Sequence, residues 1–240
     1  MPEITLVQYR GLKPNTTISP PCGKVHMALR FKGLEYDIHN ITSRAEITRS
    51  NPRGRLPALI VDGETIVDST DIVDALEARF PDPPLEPAEP VARARVKILE
   101  DWADEVLYFY GVYMRWCVDD HFERLHSNYL SMMKAPMRWY VPRVVRREFQ
   151  TRVRKQGIGL KGEAVVRREL DGCLDAVEAL VRNAPFVTGE QLTRADLAIA
   201  CIVDQMMVER LHPEIAAAVA ARADLMGWLD RVHERAPGAA

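Results

Sequence analysis

The chain has 240 residues, 47% of them apolar and 28% charged, with a formal net charge of −2. That apolar content suffices for a buried core in one large domain or two smaller ones, and the near-neutral balance excludes a global field that would recruit nucleic acid or anionic lipid. No basic-plus-apolar leader opens the sequence, no apolar run approaches ~18 residues, and the scattered Cys22, Cys117, Cys173 and Cys201 have neither C-x-x-C nor metal spacing, so the expected setting is reducing and cytoplasmic, without membrane insertion.

Residues 4–9 (ITLVQY) read as a first strand. CGKVHMALRFKG (22–33) carries apolar residues at helical spacing and ends on Gly33 as a C′ residue. EYDIHNI (35–41) predicts a second strand, and ALIVDGETIV (58–67) a hairpin about Asp62-Gly63. STDIVDALEARF (69–80) returns to helix. The order β-α-β-(α)-β-β-α over residues 4–80 predicts a thioredoxin-like arrangement of mixed sheet and flanking helices.

Five prolines in PDPPLEPAEP (81–90) read as a linker. Beyond it the pattern is helical. One long helix is predicted over 92–118 and a second over 122–155, bent near Pro136 and Pro142. A third covers 163–183, with Leu170, Cys173, Leu174, Val177, Leu180 and Val181 on one stripe, and two more cover 194–210 and 222–235. The predicted fold class is therefore α/β plus all-α: a thioredoxin-like domain at 1–82 and an all-helical domain at 91–240.

Three short stretches carry candidate chemistry. In Ser19-Pro20-Pro21-Cys22, Ser19 stands at a helix start, where a hydroxyl meets free N–H groups and the positive end of the macrodipole. It is equally an ordinary N-cap followed by proline. Cys22 reads first as a small buried packing residue. In Leu56-Pro57, just before a strand, a cis peptide would present the Leu56 N–H and C=O to an extended peptide, and a trans-proline at an edge strand is as good a reading. In Asp68-Ser69, the start of a helix with a serine suits a carboxylate, and the aspartate suits an ammonium group; the alternative is a plain cap.

Taken in this order, Ser-x-x-Cys after strand 1, N-P-x-G-x-L-P-A-L before a D-G hairpin and an acidic-Ser pair resemble the glutathione transferase superfamily. Leu192-Thr193-Arg194-Ala195-Asp196 looks like that superfamily's capping box and hydrophobic staple. The metaxin and failed-axon-connections branch is similar in SPPCGKVHMALRFKGLEYD, QGIGLKGEAV and FVTGEQLTRADLA, and TTISP resembles bacterial β-etherases. The resemblance implies glutathione as co-substrate, Ser19 as the partner of its thiolate, and Arg55, Leu56, Pro57, Asp68 and Ser69 as its binding residues. It implies attack on an electrophilic apolar small molecule, and a homodimer. The sequence departs from the pattern in Asp68, where Glu or Gln is usual, and in Arg55, where many members have Gln. The other readings are a non-catalytic scaffold, a β-etherase-like lyase and a disulfide exchanger built on Cys22.

Tyr108, Tyr110, Tyr113, Met114 and Trp116, followed by Met132, Met133, Met137, Trp139 and Tyr140, either line an apolar second-substrate pocket or form helix–helix core. Eight basic residues against Glu148 between Lys134 and Lys155 read as a solvated helix face. Asp119, Asp120, His121 and His126 suggest a metal. His121 and His126, however, stand about 140° apart around a helix, so no metal is expected.

Overall fold

The computed structural model describes residues 2–41, 43–129, 137–208 and 210–239. Its first part is a four-stranded sheet of β1 (Ile4–Gln8), β2 (Asp37–Asn40), β3 (Ala58–Val61) and β4 (Glu64–Val67), ordered β2-β1-β3-β4. β1 and β2 run parallel, with Leu6 opposite Ile38, so the chain must cross over between them through α1 (Pro20–Phe31). β3 lies antiparallel to β1 and β4, and the β3–β4 turn holds Asp62 and Gly63 both at positive φ, 50° and 84°. That is the conformation a two-residue hairpin turn demands. α2 (Arg44–Ser50) and α3 (Ser69–Arg79) complete this unit.

The proline-rich segment is anchored rather than loose. Leu85 is buried, its N–H donates to the Glu77 carboxylate at 3.1 Å, and the buried Lys32 ammonium donates to the Phe80 carbonyl at 2.6 Å and the Pro83 carbonyl at 3.0 Å. Pro90 then starts α4 (Pro90–Trp102), which runs through a π-helical turn (Ala103–Leu107) into α5 (Tyr108–Cys117). The long helix expected over 92–118 is present, with that turn inside it.

Next come α6 (Asp119–Asn128), α7 (Met137–Gln156), a 3₁₀ turn (Ile158–Leu160) and α8 (Glu163–Val181). The expected bend at Pro136 lies outside the described residues. Pro142 sits inside α7 and does not end it. Proline removes the N–H that would bond the Arg138 carbonyl four residues back, and His126 Nε2 takes that carbonyl instead at 3.3 Å. On α8 the stripe holds except at Leu180, which is 43% exposed, while Val166 joins the buried set.

α9 (Arg194–Met206), α10 (Pro213–Ala220) and α11 (Ala223–Arg235) close the fold. α10 was not expected as a helix, because its alanine-rich sequence lacks a strong apolar stripe. Every residue of α9 is buried, so it is the central element, packed on α1, α4 and α11. Its start is fixed by a reciprocal capping box: the Thr193 N–H donates to Asp196 Oδ2 at 2.9 Å while the Thr193 side chain caps in return. Asp196 also accepts from the Val187 N–H at 2.9 Å and from Trp228 Nε1 at 3.0 Å, so the buried carboxylate is fully satisfied.

Candidate functional site

The loop from β1 to α1 is held from several directions. Thr17 Oγ1 donates to the Tyr9 carbonyl at 2.7 Å and accepts the Ser19 N–H at 3.2 Å. From the helical half, Arg115 Nη1 donates to the Ile18 carbonyl at 2.8 Å and Gln205 Nε2 to the Thr17 carbonyl at 2.9 Å. Gly11 closes the loop so tightly that a Cβ there would stand 2.1 Å from Thr16 Oγ1.

Ser19 is the N-cap of α1, extended at φ −103° and ψ 116° as a residue before proline must be. Its side chain makes no cap hydrogen bond. Pro20 and Pro21 occupy the first two helical positions and have no N–H to offer, so of the usual cap donors only the Cys22 N–H remains. The half-buried hydroxyl instead reaches the Cys22 thiol. Cys22 is fully buried beside Val7, Leu56 and Ala58. Burial pushes its thiol up to about 11 against the opposing hydrogen bonds from Ser19, Tyr9 and Thr17, so at neutral pH it stays protonated.

The Leu56–Pro57 peptide is cis. The loop before it is pinned by the buried Asn51, whose Nδ2 donates to the Arg55 carbonyl at 2.8 Å and whose Oδ1 accepts the Arg53 N–H at 2.8 Å. The Arg55 side chain is exposed. At the start of α3, Asp68 lies at φ 80°, a conformation a non-glycine residue adopts only when its surroundings impose it, and its carboxylate accepts the Thr70 N–H at 3.0 Å. Ser69 follows, 8% exposed, at the first helical position.

Beneath these residues lies a charge network that sequence reasoning missed. The buried Lys24 ammonium contacts Glu100 at 2.6 Å and Asp104 at 2.8 Å and donates to Thr70 Oγ1 at 3.2 Å. Burial alone would lower the lysine, but Asp104 and Glu100 outweigh it and hold its pKa above the ordinary value. Arg194 pairs with Glu100 at 2.8 Å, with Glu86 at 2.9 Å and with Asp74, and donates to the Thr70 carbonyl at 3.3 Å. The network ties the first turn of α3 to α4 and α9. The available signal was a lysine inside the largely apolar CGKVHMAL run.

Of the expected pocket aromatics, most belong to the helical core. Tyr110 is buried and donates to Glu169 at 2.8 Å; Trp116 stacks on Phe149 at 4.4 Å; Tyr113 and Met114 are buried. Trp139 and Tyr140 are 56% and 71% exposed, and Met132, Met133 and the Met137 side chain lie outside the described residues. Tyr108 is half-buried, its ring edge-on to Phe109 at 5.3 Å, and near enough to Tyr9 to influence its phenol.

The basic run is not a uniformly solvated face. Arg146 folds back over the Phe122 ring at 4.3 Å and donates to the Trp116 carbonyl at 3.0 Å, Glu148 pairs with Arg44 of α2 at 2.7 Å, and Arg152 reaches Tyr108. Asp119, Asp120 and His121 border a cavity of about 360 Å³ with Arg124 and Arg167, away from Ser19. His121 bonds the Met114 carbonyl at 2.8 Å and Glu214, and His126 points to Arg138. Among the described residues no helix is long and apolar enough to cross a membrane.

The described geometry has counterparts among known proteins. The family "Glutathione S-transferase, N-terminal domain" matches residues 15–84 and "Glutathione S-transferase, C-terminal domain" matches residues 132–236. A stringent starvation protein A homolog of Coxiella burnetii is 37% identical over 79 residues, covering 32% of this chain and 38% of that protein. The aligned part thus spans under half the length of that curated relative. Among solved structures, the beta-etherase LigF of Sphingobium sp. strain SYK-6 superposes with a TM-score of 0.69 at 20% identity, covering 96% of this chain and 94% of that one. Rice GST1, solved in complex with glutathione, gives a TM-score of 0.63 at 22% identity over 99% of this chain and 91% of that one. A small mixed sheet followed by a helical half, matched in both parts by family, places this chain in the glutathione S-transferase superfamily.

Proposed function

We propose that the protein is a glutathione-dependent enzyme in which the Ser19 hydroxyl donates a hydrogen bond to the glutathione thiolate. The observation that carries this is the place of the Ser19 hydroxyl: half-buried at a helix start, making no cap hydrogen bond, beside the protonated Cys22 thiol. The hydroxyl and the helix dipole both favour the anion over the thiol. Leu56, preceding the cis-Pro57, would offer its backbone N–H and C=O to the cysteinyl unit. Ser69 and the start of α3 would take the γ-glutamyl carboxylate and Asp68 its ammonium group, with Arg55 at the rim. The thiolate then attacks an electrophilic carbon in an apolar part of the second substrate: the S–C bond forms and the leaving group departs with its bonding pair. The rice neighbour's bound glutathione supports the first half of this reading, and the beta-etherase neighbour, named for ether cleavage, supports a reaction in which a leaving group departs. As the superfamily implies, the protein is read as a cytoplasmic homodimer, which light scattering would report as twice the chain mass.

Thiolate absorbance against pH, with glutathione bound, tests the assignment. Ser19→Ala should return the bound thiol toward its free pKa and lower turnover by on the order of 10²-fold, with docking of the peptide little changed. Cys22→Ala should leave the absorbance profile as it is. Loss of the low-pKa signal in Cys22→Ala alone would assign the chemistry to Cys22. A protein whose melting temperature does not move at millimolar glutathione would be a scaffold.

A further inference from the structure

We infer that the segment following α11, residues 236–239, is a strap that positions Ser19 through Thr17, with Arg30 as its clasp. The inference rests on the glutathione reading above and adds positioning residues to the same site.

The Ser19 loop hangs on Thr17, which is 1% exposed and has every polar group engaged. Its hydroxyl donates to the Tyr9 carbonyl and accepts the Ser19 N–H, and its carbonyl accepts from Gln205 of α9. Its own N–H donates to the Ala239 carbonyl at 2.7 Å. That last partner lies in neither a helix nor a strand, so its position depends on what holds the segment from outside.

The segment is held on both sides. Ala236 and Ala239 are buried, and Arg30, in the last turn of α1, donates from Nη1 to the Pro237 carbonyl at 2.8 Å and to the Gly238 carbonyl. Arg30 is itself fixed, because its Nε donates to the Tyr36 hydroxyl at 3.1 Å and that hydroxyl bonds His26 at 2.6 Å. On the other side stands the Asp204–His233 pair. A Cβ at position 238 would lie 2.5 Å from Asp204 Oδ2 and 2.9 Å from His233 Nε2, so only glycine passes without displacing them.

α1 therefore governs Ser19 twice. Its start carries the residue, and its end, through Arg30, fixes the strap that reaches back to Thr17. A buried N–H that loses its acceptor is costly enough for the loop to rearrange around it. The contacts assigned to the peptide, at Leu56, Asp68 and Ser69, belong to other elements. Displacement of the hydroxyl is then felt by the thiolate far more than by the docked peptide.

Hydrogen exchange, calorimetry with glutathione and thiolate absorbance against pH test this in Arg30→Met, Arg30→Lys and Gly238→Ala. In Arg30→Met the Thr17 amide should exchange at least about tenfold faster than in the wild type. The thiol of bound glutathione should titrate at higher pH, part of the way toward its Ser19→Ala value, while affinity for the peptide stays within about threefold. Arg30→Lys should recover part of both changes, since an ammonium still donates to a carbonyl. Gly238→Ala presses on the strap without touching Arg30; it should move the same readouts by less, and it decides the matter if Arg30→Met does not fold. Added to Ser19→Ala, Arg30→Met should shift the thiol no further. A wild-type thiolate profile in both strap variants, with Thr17 exchanging faster, would make the segment structural only; it would overturn the inference and leave the glutathione reading standing. Unchanged exchange at Thr17 in both would overturn it as well, and so would a full further shift on top of Ser19→Ala. A wild-type profile in Ser19→Ala itself would overturn the serine reading and the strap's role together.

Discussion

Two groups of charged residues flank α1, and they are built on opposite principles. On one side Lys24 and Arg194 share Glu100, with Asp104, Asp74 and Glu86 around them, so two cations are met by four carboxylates. Near the loop that precedes α1, Arg115 meets a glutamine and a backbone carbonyl, and Arg152 lies over the Phe149 ring. The first group is closed, and its function is to hold Thr70, hence Asp68 and Ser69, against the helical half. The second is open. Glu100, Asp104 and Arg115 lie along one continuous helical rod, yet among the described residues the lysine that meets the two acids has carboxylate partners and Arg115 has none.

The strongest way to break this contrast is to unbalance the closed side. Glu100→Ala leaves Lys24 and Arg194 buried with less counter-charge, and should cost about 3–5 kcal/mol of unfolding free energy in urea titration. If that variant loses less than Arg115→Met, the two sides are not built as described. Arg115→Met removes an unmatched buried charge but orphans two acceptors, Ile18 O and Gln205 Oε1, so its cost should be smaller, about 1–3 kcal/mol.

The smallest effect concerns a paired group at the surface, His233, whose Nε2 lies 2.9 Å from Asp204. Its hydrogen bond to Asp204 raises the imidazole pKa despite partial burial. A raised histidine contributes stability that is fully present below its unfolded value of about 6.5 and is lost as pH rises through the folded value. The stability difference between wild type and His233→Gln should therefore be larger at pH 6 than at pH 9, and a difference independent of pH would remove the pair from the account.

What could be read from the sequence was whatever is decided within a few residues. Asp62-Gly63 fixes its own turn, Thr193 and Asp196 cap each other, and Ser19 precedes two prolines that define the helix start. The Leu56–Pro57 isomer was not decidable, because the difference between cis and trans is small for any proline and is set by packing. Nor was Arg115: in YFYGVYMRWC it looks like the polar face of an amphipathic helix, and only the arrival of residues 18 and 205 buries it. The aromatics misled for the same reason, since a tyrosine lining a cleft and a tyrosine filling a core have the same spacing. Tyr108 differs from Tyr110 in what lies opposite, which the local pattern does not carry.

The π-helical turn at Ala103–Leu107 has a consequence for the rotational phase of the long helix. There the Tyr108 N–H reaches the Ala103 carbonyl five residues back, so one residue more than an α-helix needs is taken up in that turn. Each residue advances an α-helix by about 100°, so the face of α5 is offset by that angle from the one α4 would project. Glu100 on the near side of the insertion addresses Lys24, and Arg115 beyond it addresses the loop before Ser19. One backbone rod thereby serves both flanks of α1, and a chain shorter by a single residue here would point its second half at a different neighbour without altering one side chain.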